Sequence, residues 1–118
     1  MLPCDKTEPE SFFHEIKILE TINDIQGVPK MIDYGCDNFG SKRSYFIVFE
    51  KLDRTLLDII QSNGKLSPSE TITLGCDLLS TLQQLHAIGI VHRDIKPNNI
   101  MESAGQFYLI DFGNADFV

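Results

Sequence analysis

The chain has 118 residues, of which 42% are hydrophobic and 23% are charged, as expected for one globular domain with a modest core. Its formal net charge of −7 argues against a nucleic-acid partner, because phosphate backbones attract concentrated lysine and arginine. No apolar run approaches the length of a membrane span, and the N-terminus has no basic start followed by an apolar stretch. We therefore expect neither a nucleic acid nor a membrane as a partner.

The cysteines also limit the class of protein. Cys4, Cys36 and Cys76 are odd in number and show no CxxC spacing. Such usage favours free thiols in a reducing compartment over disulfides or a zinc site. We expect a cytoplasmic or nuclear location.

The first predicted element is a helix from Thr7 to about Asn23. Thr7 can cap its N-terminus, and Glu10 three residues later can complete a capping box. Glu15 lies near the middle of the helix, next to His14, which has no metal-spaced partner and is expected to be structural. Apolar residues recur at helical spacing along one face, namely at Phe12, Ile16, Leu19 and Ile22.

A β-hairpin is predicted after residues 27–29 (GVP), which interrupt the helical pattern. Residues 30–35 and 44–50 are its expected strands, joined by a polar loop that contains glycine. The run YFIVF at 45–49 is rich in aromatic and β-branched residues and suits a buried strand.

Two more helices are predicted further along the chain. The first covers residues 53–60 and stops at residues 63–64 (NG), a good left-handed terminator. The second starts at Ser67, which can cap it, with a proline in the first turn and Glu70 to complete a capping box. It should run to about Ala87, with a set of apolar residues facing the core, namely Ile72, Leu78, Leu79, Leu82 and Leu85.

The most specific pattern lies between residues 90 and 113. It contains His92-Arg93-Asp94, then Lys96 and Asn99, and finally DFG at 111–113, which follows a predicted strand at 107–110. A hairpin turn is expected at 103–106. Two carboxylates, an amide and a lysine are therefore placed in loops that flank short apolar runs.

This order matches the catalytic loop and the magnesium loop of protein kinases. Lys96, two residues after Asp94, resembles the serine/threonine type. The resemblance implies an α+β fold, namely the central part of the bilobal kinase fold, with ATP and magnesium as cofactors and a protein as substrate. Asp94 would accept the proton of the substrate hydroxyl, Lys96 would offset charge on the transferred group, and Asn99 and Asp111 would bind magnesium.

The resemblance also assigns the residues around the nucleotide. Glu15 resembles the glutamate of the regulatory helix, which pairs with a lysine on the third strand. Phe49 would be the gatekeeper, with Glu50, Lys51 and Leu52 as the hinge that reads the adenine. The alternatives are a solvated helical glutamate for Glu15 and an ordinary core residue for Phe49.

Further assignments rest on the same resemblance. Asp58 falls where casein-kinase-like enzymes place an acid on the ATP ribose, although an exposed helical aspartate is an equal alternative. His92 and Phe112 would support the two loops by packing. Arg93 would pair with a phosphorylated activation loop or be a surface cation.

The resemblance covers less than half of a kinase domain. Residues 1–50 would be the remnant of the small lobe and residues 51–118 the start of the large lobe, without a glycine-rich loop or a strand lysine before Glu15. We therefore expect a serine/threonine kinase fragment that is marginally stable and inactive, or nearly so, by itself. Its group within the family would be casein-kinase-like. The alternative is a kinase-like regulatory or scaffolding module whose exposed sheet edge a partner protein covers.

Overall fold

The computed structural model describes residues 10–118, so the predicted helix start at Thr7 lies outside the described residues. The helices are α1 (Glu10–Thr21), α2 (Leu56–Asn63) and α3 (Pro68–Ala87), with a short 3-10 turn at Pro97–Asn99. The strands are β1 (Met31–Phe39), β2 (Lys42–Phe49), β3 (Arg54–Thr55), β4 (Ile90–Val91), β5 (Ile100–Ser103), β6 (Gln106–Leu109) and β7 (Asp116–Phe117).

All strand pairs of the described residues are antiparallel, and they form three small sheets. β1 pairs with β2 as a hairpin, β5 lies between β3 and β6, and β4 pairs with β7. Mixed helices and small antiparallel sheets agree with the predicted α+β class. None of the helices between residues 10 and 118 is long and apolar enough to cross a bilayer.

One hydrophobic core joins α1, α2 and α3 to the β5–β6 hairpin and the chain end. Of the apolar residues predicted to share a face, Ile16 and Leu19 of α1 and Ile22 just after it are buried. Ile18, which the pattern missed, is fully buried beside them. The core cluster consists of Ile18, Leu19, Ile22, Val28, Leu56, Ile59, Leu85, Ile90, Ile100, Phe107, Leu109, Phe112 and Ala115. This core supports the two loops that contain the sequence motif.

Helix α3 begins as predicted, but its buried face differs from the prediction. The Ser67 hydroxyl accepts the Glu70 N–H, and the Glu70 carboxylate accepts the Ser67 N–H. Ile72 and Leu79, expected in the core, are 67% and 70% exposed. Thr81 is buried instead. Its burial is tolerated because its hydroxyl donates a hydrogen bond to the Asp77 carbonyl oxygen in the preceding turn.

Two other element boundaries were predicted wrongly. The strands of the β1–β2 hairpin extend through the expected polar loop, because residues 37–39 pair with residues 42–44 and leave a tight turn. Helix α2 begins three residues later than expected, since Thr55 is its N-cap and pairs with β5. The strands β3, β4 and β7 were not predicted, because two-residue strands have no sequence period.

Gly27 lies where the chain passes close to α3. Its φ is +97°, and an added Cβ would overlap the Thr81 hydroxyl oxygen. Its carbonyl oxygen also accepts the Leu109 N–H at 2.9 Å. The sequence indicated only a break here, whereas the structure shows a close contact between the segment before β1 and both α3 and β6.

We expect Gly27→Ala to lower the free energy of unfolding by about 2 kcal/mol or more, because the new methyl group meets Thr81 and the backbone conformation disfavours a side chain. Denaturant unfolding checks this. Gly75→Ala is the control, since Gly75 lies within α3 with open space around it. That change should increase stability by about 0.5–1 kcal/mol. Equal effects of the two substitutions would contradict the prediction.

Candidate active site

The backbone around Ile110 joins the two loops that contain the sequence motif. His92 donates from Nε2 to the Ile110 carbonyl oxygen at 2.8 Å, and the Ile110 N–H donates to the Asn99 carbonyl oxygen at 2.9 Å. The loop of residues 92–99 is therefore fastened directly to the residue that precedes Asp111.

His92 is a packed structural residue, as predicted. It is 2% exposed, and its Nδ1 accepts the Asp94 N–H at 3.1 Å. The neutral ring with its proton on Nε2 satisfies both of its hydrogen bonds. Its ring meets the Phe112 ring edge-on, with centroids 4.8 Å apart. His92 and Phe112 thus support both loops through packing.

Asp94, Lys96 and Asn99 form one polar cluster. The buried Asn99 donates from Nδ2 to the Asp94 carbonyl oxygen and to Asp94 Oδ2, both at 2.9 Å. Lys96 Nζ lies 3.6 Å from the same Oδ2. The other carboxylate oxygen, Oδ1, has no partner among residues 10–118, and the same holds for Asn99 Oδ1.

Asp111 and Arg93 both have backbone conformations that L-residues rarely adopt. Their φ angles are +59° and +72°. Such conformations cost on the order of 1–3 kcal/mol each and persist when surrounding contacts enforce them. The Asp111 carboxylate accepts the Gly113 N–H at 3.2 Å, and Arg93 donates from Nε to the Asn114 carbonyl oxygen at 2.8 Å.

Most of the other predicted residues of the site surround a cavity of about 290 Å³, close to the lower limit for small-molecule sites. Its lining includes Glu15, Glu50, Leu52 and Asp111. Asp94, Lys96 and Asn99 do not line it. The structure therefore forms two groups of predicted residues, and Ile110 and Asp111 connect them.

The Glu50–Leu52 segment at the cavity has free backbone groups. The Glu50 N–H donates to the Lys30 carbonyl oxygen at 2.9 Å, and its carboxylate accepts the Lys30 N–H at 3.1 Å. In the described part of the chain, no hydrogen bond uses the Glu50 carbonyl oxygen or the Leu52 N–H. Both groups belong to residues that line the cavity.

Glu15 faces Asp111 inside this cavity. Partial burial and, to a smaller degree, the Asp111 carboxylate raise the pKa of Glu15. Its Oε1 lies close to the backbone of Gly113, where an added Cβ would be 3.7 Å away. Between residues 10 and 118, no lysine or arginine pairs with it. Within residues 10–118, the Glu15 carboxylate therefore faces a second carboxylate and has no cationic side chain paired with it.

Asp58 is placed in a different environment. It is exposed, completes the capping box of α2 with Thr55, and does not line the cavity. Its hydrogen bonds to Thr55 lower its pKa. Asp58 is therefore placed as an exposed helical aspartate, the alternative given above. A role at the ATP ribose stays a prediction.

The cavity has further lining residues that the sequence did not single out. They are Pro29, Met101 and Ile110, beside the predicted Phe49 and Phe112. Pro29 was noted only as part of a chain break. Apolar walls carry no motif, so the sequence offered no signal for their position.

A comparison with known families decides the identity of this arrangement. A family model for the protein kinase domain matches residues 3–118. The chain belongs to the protein kinase family.

Relatives of this kinase chain come from several organisms. A probable cell division protein kinase of Encephalitozoon cuniculi is 36% identical over 107 residues, covering 88% of this chain and 32% of that protein. A probable serine/threonine-protein kinase of Streptomyces coelicolor is 40% identical over 85 residues, covering 70% of this chain and 13% of that protein. A probable casein kinase I homolog of Encephalitozoon cuniculi is 28% identical over 110 residues, covering 92% of this chain and 33% of that protein.

The chain spans about a third or less of the length of these curated relatives. The prediction of a protein kinase of the serine/threonine type is confirmed at the level of the family.

The donor set of this kinase chain fits magnesium and a triphosphate. Magnesium prefers oxygen ligands and usually takes one or two from the protein, with phosphates and water supplying the rest. Asn99 Oδ1 and the Asp111 carboxylate are oxygen atoms of this kind. Residues 10–118 contain no cluster of three His, Cys, Asp or Glu side chains that would hold a metal ion alone.

We expect Glu15→Gln to raise the melting temperature at pH 7 and to leave it nearly unchanged at pH 4. The pKa of Glu15 is higher in the folded chain, so its ionisation opposes folding. This penalty is absent below the pKa of the unfolded chain, grows as the pH rises, and is complete above the folded pKa. Thermal unfolding at both pH values measures it.

The control is Glu20→Gln, an exposed glutamate on the same helix that gives the same change in net charge. It corrects for the general effect of reducing the negative charge. The prediction is wrong if the two substitutions stabilise the chain equally at pH 7, or if Glu15→Gln stabilises it as much at pH 4.

Proposed function

We propose that this chain is the central part of a serine/threonine protein kinase, which transfers the γ-phosphoryl group of ATP to a serine or threonine hydroxyl of a protein. The observation that carries the proposal is the hydrogen bond from Asn99 to Asp94, in a loop tied through Ile110 to Asp111. Within this assignment, residues 1–50 belong to the small lobe and residues 51–118 to the large lobe.

Asp94 is the proposed base. Asn99 and Lys96 hold its Oδ2, which leaves Oδ1 to accept the proton of the substrate hydroxyl. As that proton moves to Asp94, the hydroxyl oxygen forms a bond to the γ-phosphorus, and the bond between the γ-phosphorus and the β,γ-bridging oxygen breaks. Lys96 offsets the negative charge that spreads over the transferred group.

Two other groups of residues would hold the nucleotide. Asn99 Oδ1 and the Asp111 carboxylate would bind magnesium, which neutralises phosphate charge when it is bound. Across the cavity, the Glu50 carbonyl oxygen and the Leu52 N–H would pair with the adenine edge, next to Phe49. Glu15, beside Asp111, would orient a lysine that is not among its partners in residues 10–118.

Glu15 has no lysine or arginine partner among residues 10–118, which sets an expectation for the isolated chain. Phosphate positioning in kinases uses a lysine that pairs with this glutamate. We propose that the isolated chain binds nucleotide weakly and transfers phosphate slowly or not at all. We also propose a reducing cytoplasmic or nuclear location, because neither Cys36 nor Cys76 is in a disulfide among residues 10–118.

The casein-kinase-like placement stays a prediction. One relative carries that name, but others are named as cell division or general serine/threonine kinases.

A second candidate function is a regulatory or scaffolding module without catalysis. The β1–β2 hairpin favours it, because it forms a two-stranded sheet and exposes several apolar residues among those described. These are Ile32, Phe39, Phe46 and Val48. A partner protein that adds a strand would cover an edge of this two-stranded sheet. Such a module would have no need to bind magnesium and ATP together, so nucleotide binding discriminates between the two functions.

We expect ATP with magnesium to raise the melting temperature of the chain. At a nucleotide concentration about tenfold above Kd, binding contributes about 1.4 kcal/mol, which corresponds to about 5 °C for a domain of this size. Thermal unfolding with ATP alone, magnesium alone and both together measures the effect.

Asp111→Asn should remove the part of this shift that depends on magnesium, because it takes away the ligand charge. Asp37→Asn is the matched control, since Asp37 is an exposed acid of β1 outside the cavity. Equal shifts with and without magnesium in the unmodified chain would contradict the metal assignment, and no shift with any combination would favour the module.

We expect phosphoryl transfer by the isolated chain to be at or near background. The measurement uses γ-labelled ATP, magnesium and a serine-rich protein substrate, with Asp94→Ala as the comparison. Robust transfer that Asp94→Ala abolishes would confirm the role of Asp94 and contradict the expected inactivity. Transfer that persists in Asp94→Ala would contradict Asp94 as the base.

A further inference from the structure

Asp116 lies between two parts of the chain that are distant in sequence. Its Oδ1 is 3.3 Å from Nε2 of His14, which belongs to α1. Its Oδ2 is 3.9 Å from Nη2 of Arg93, which belongs to the loop of residues 92–99. One half-exposed carboxylate therefore faces a basic group from each side.

The contact with α1 includes more than this carboxylate. His14 Nε2 is also 3.1 Å from the carbonyl oxygen of the buried Ala115, within hydrogen-bond distance. Phe117 meets the His14 ring edge-on at 6.2 Å and lies 5.5 Å from Lys17 Nζ. Three successive residues, 115–117, thus contact one face of α1.

The contact with the loop of residues 92–99 is made through backbone pairing. Residues 116–117 pair with β4, which leads directly into that loop. The Val118 N–H donates to the Gly89 carbonyl oxygen at 2.7 Å, and Arg93 donates to the Asn114 carbonyl oxygen. The segment of residues 114–118 is consequently held against this loop whether or not Asp116 is charged.

We propose that Asp116 is a positioning residue that ties α1 to the loop of residues 92–99. Hydrogen bonds already hold residues 114–118 against the loop. The Asp116 side chain, together with the Ala115 carbonyl oxygen, therefore sets how firmly His14 and α1 are attached to this segment. His14 immediately precedes Glu15, so this tie sets where Glu15 stands relative to Asp111. The inference concerns the coupling of two elements and does not depend on phosphoryl transfer.

The charge of Asp116 is what the proposal requires. Its Oδ1 also accepts the neighbouring Phe117 N–H at 2.8 Å, a local contact that asparagine can keep. Where His14 is protonated, a neutral side chain at position 116 loses only the attraction to His14 and Arg93. Half-exposed pairs of this kind are weak individually and are screened by salt. The expected effect is therefore small, localised and sensitive to ionic strength.

Amide hydrogen exchange of the whole chain, followed by mass spectrometry of its peptides, tests the proposal. In Asp116→Asn, exchange in α1 should be about two- to fivefold faster at low salt, while β5 and β6 stay unchanged. The difference from the unmodified chain should shrink at about 1 M salt, where screening acts within about 3 Å. A purely structural role in β7 would not produce this dependence.

Two further variants make the test specific. Asp37→Asn is the matched control, since Asp37 Oδ1 accepts its neighbour's N–H at 2.8 Å in the same way and lies in a hairpin strand. It should leave α1 exchange unchanged. His14→Ala should speed α1 exchange while β4 and β7 keep their protection, and adding Asp116→Asn to it should give no further increase.

Several results would overturn the proposal. Faster exchange in Asp116→Asn confined to β4 and β7 would mean that the residue acts only locally. Faster exchange in every peptide, including β5 and β6, would mean general destabilisation. Independent, additive effects of His14→Ala and Asp116→Asn on α1 would mean that the two side chains do not act together.

Discussion

The arrangement of the site depends on the backbone of Ile110. Its carbonyl oxygen accepts a hydrogen bond from the buried ring of His92, and its N–H donates to the Asn99 carbonyl oxygen. These two bonds bring together loops that are separated by a hairpin. They also help to hold the unfavourable backbone angles of Arg93 and Asp111, which would relax if the loops were free. These hydrogen bonds therefore help to maintain strained backbone in the two loops where catalysis is proposed.

The second constraint is a concentration of negative charge without a matching cation in the described residues. Glu15 and Asp111 share a cavity, and burial together with their repulsion raises the pKa of Glu15. Such an arrangement opposes folding at neutral pH and favours the arrival of positive charge. It is the electrostatic state expected of a kinase site that receives its metal with the nucleotide.

Much of the fold could be predicted because some signals are local. The capping box at Ser67 and Glu70 fixes the start of α3 from four consecutive residues. The spacing of acids and amides between residues 92 and 113 predicts the family correctly from residue types alone. Ile72 and Leu79 were predicted wrongly, because helical spacing reveals an apolar face but not which neighbours cover it.

The sequence by itself determined the family, the main helices and the identity of the chemical groups, since these follow from residue type and short-range spacing. Only the tertiary structure decided the distances between groups. It showed that Asp94 and Asn99 touch, that Asp58 caps a helix, and that Asp116 lies between α1 and the loop of residues 92–99. The contacts of Asp116 join residues far apart in the chain, and such pairs arise from packing, which no local pattern encodes.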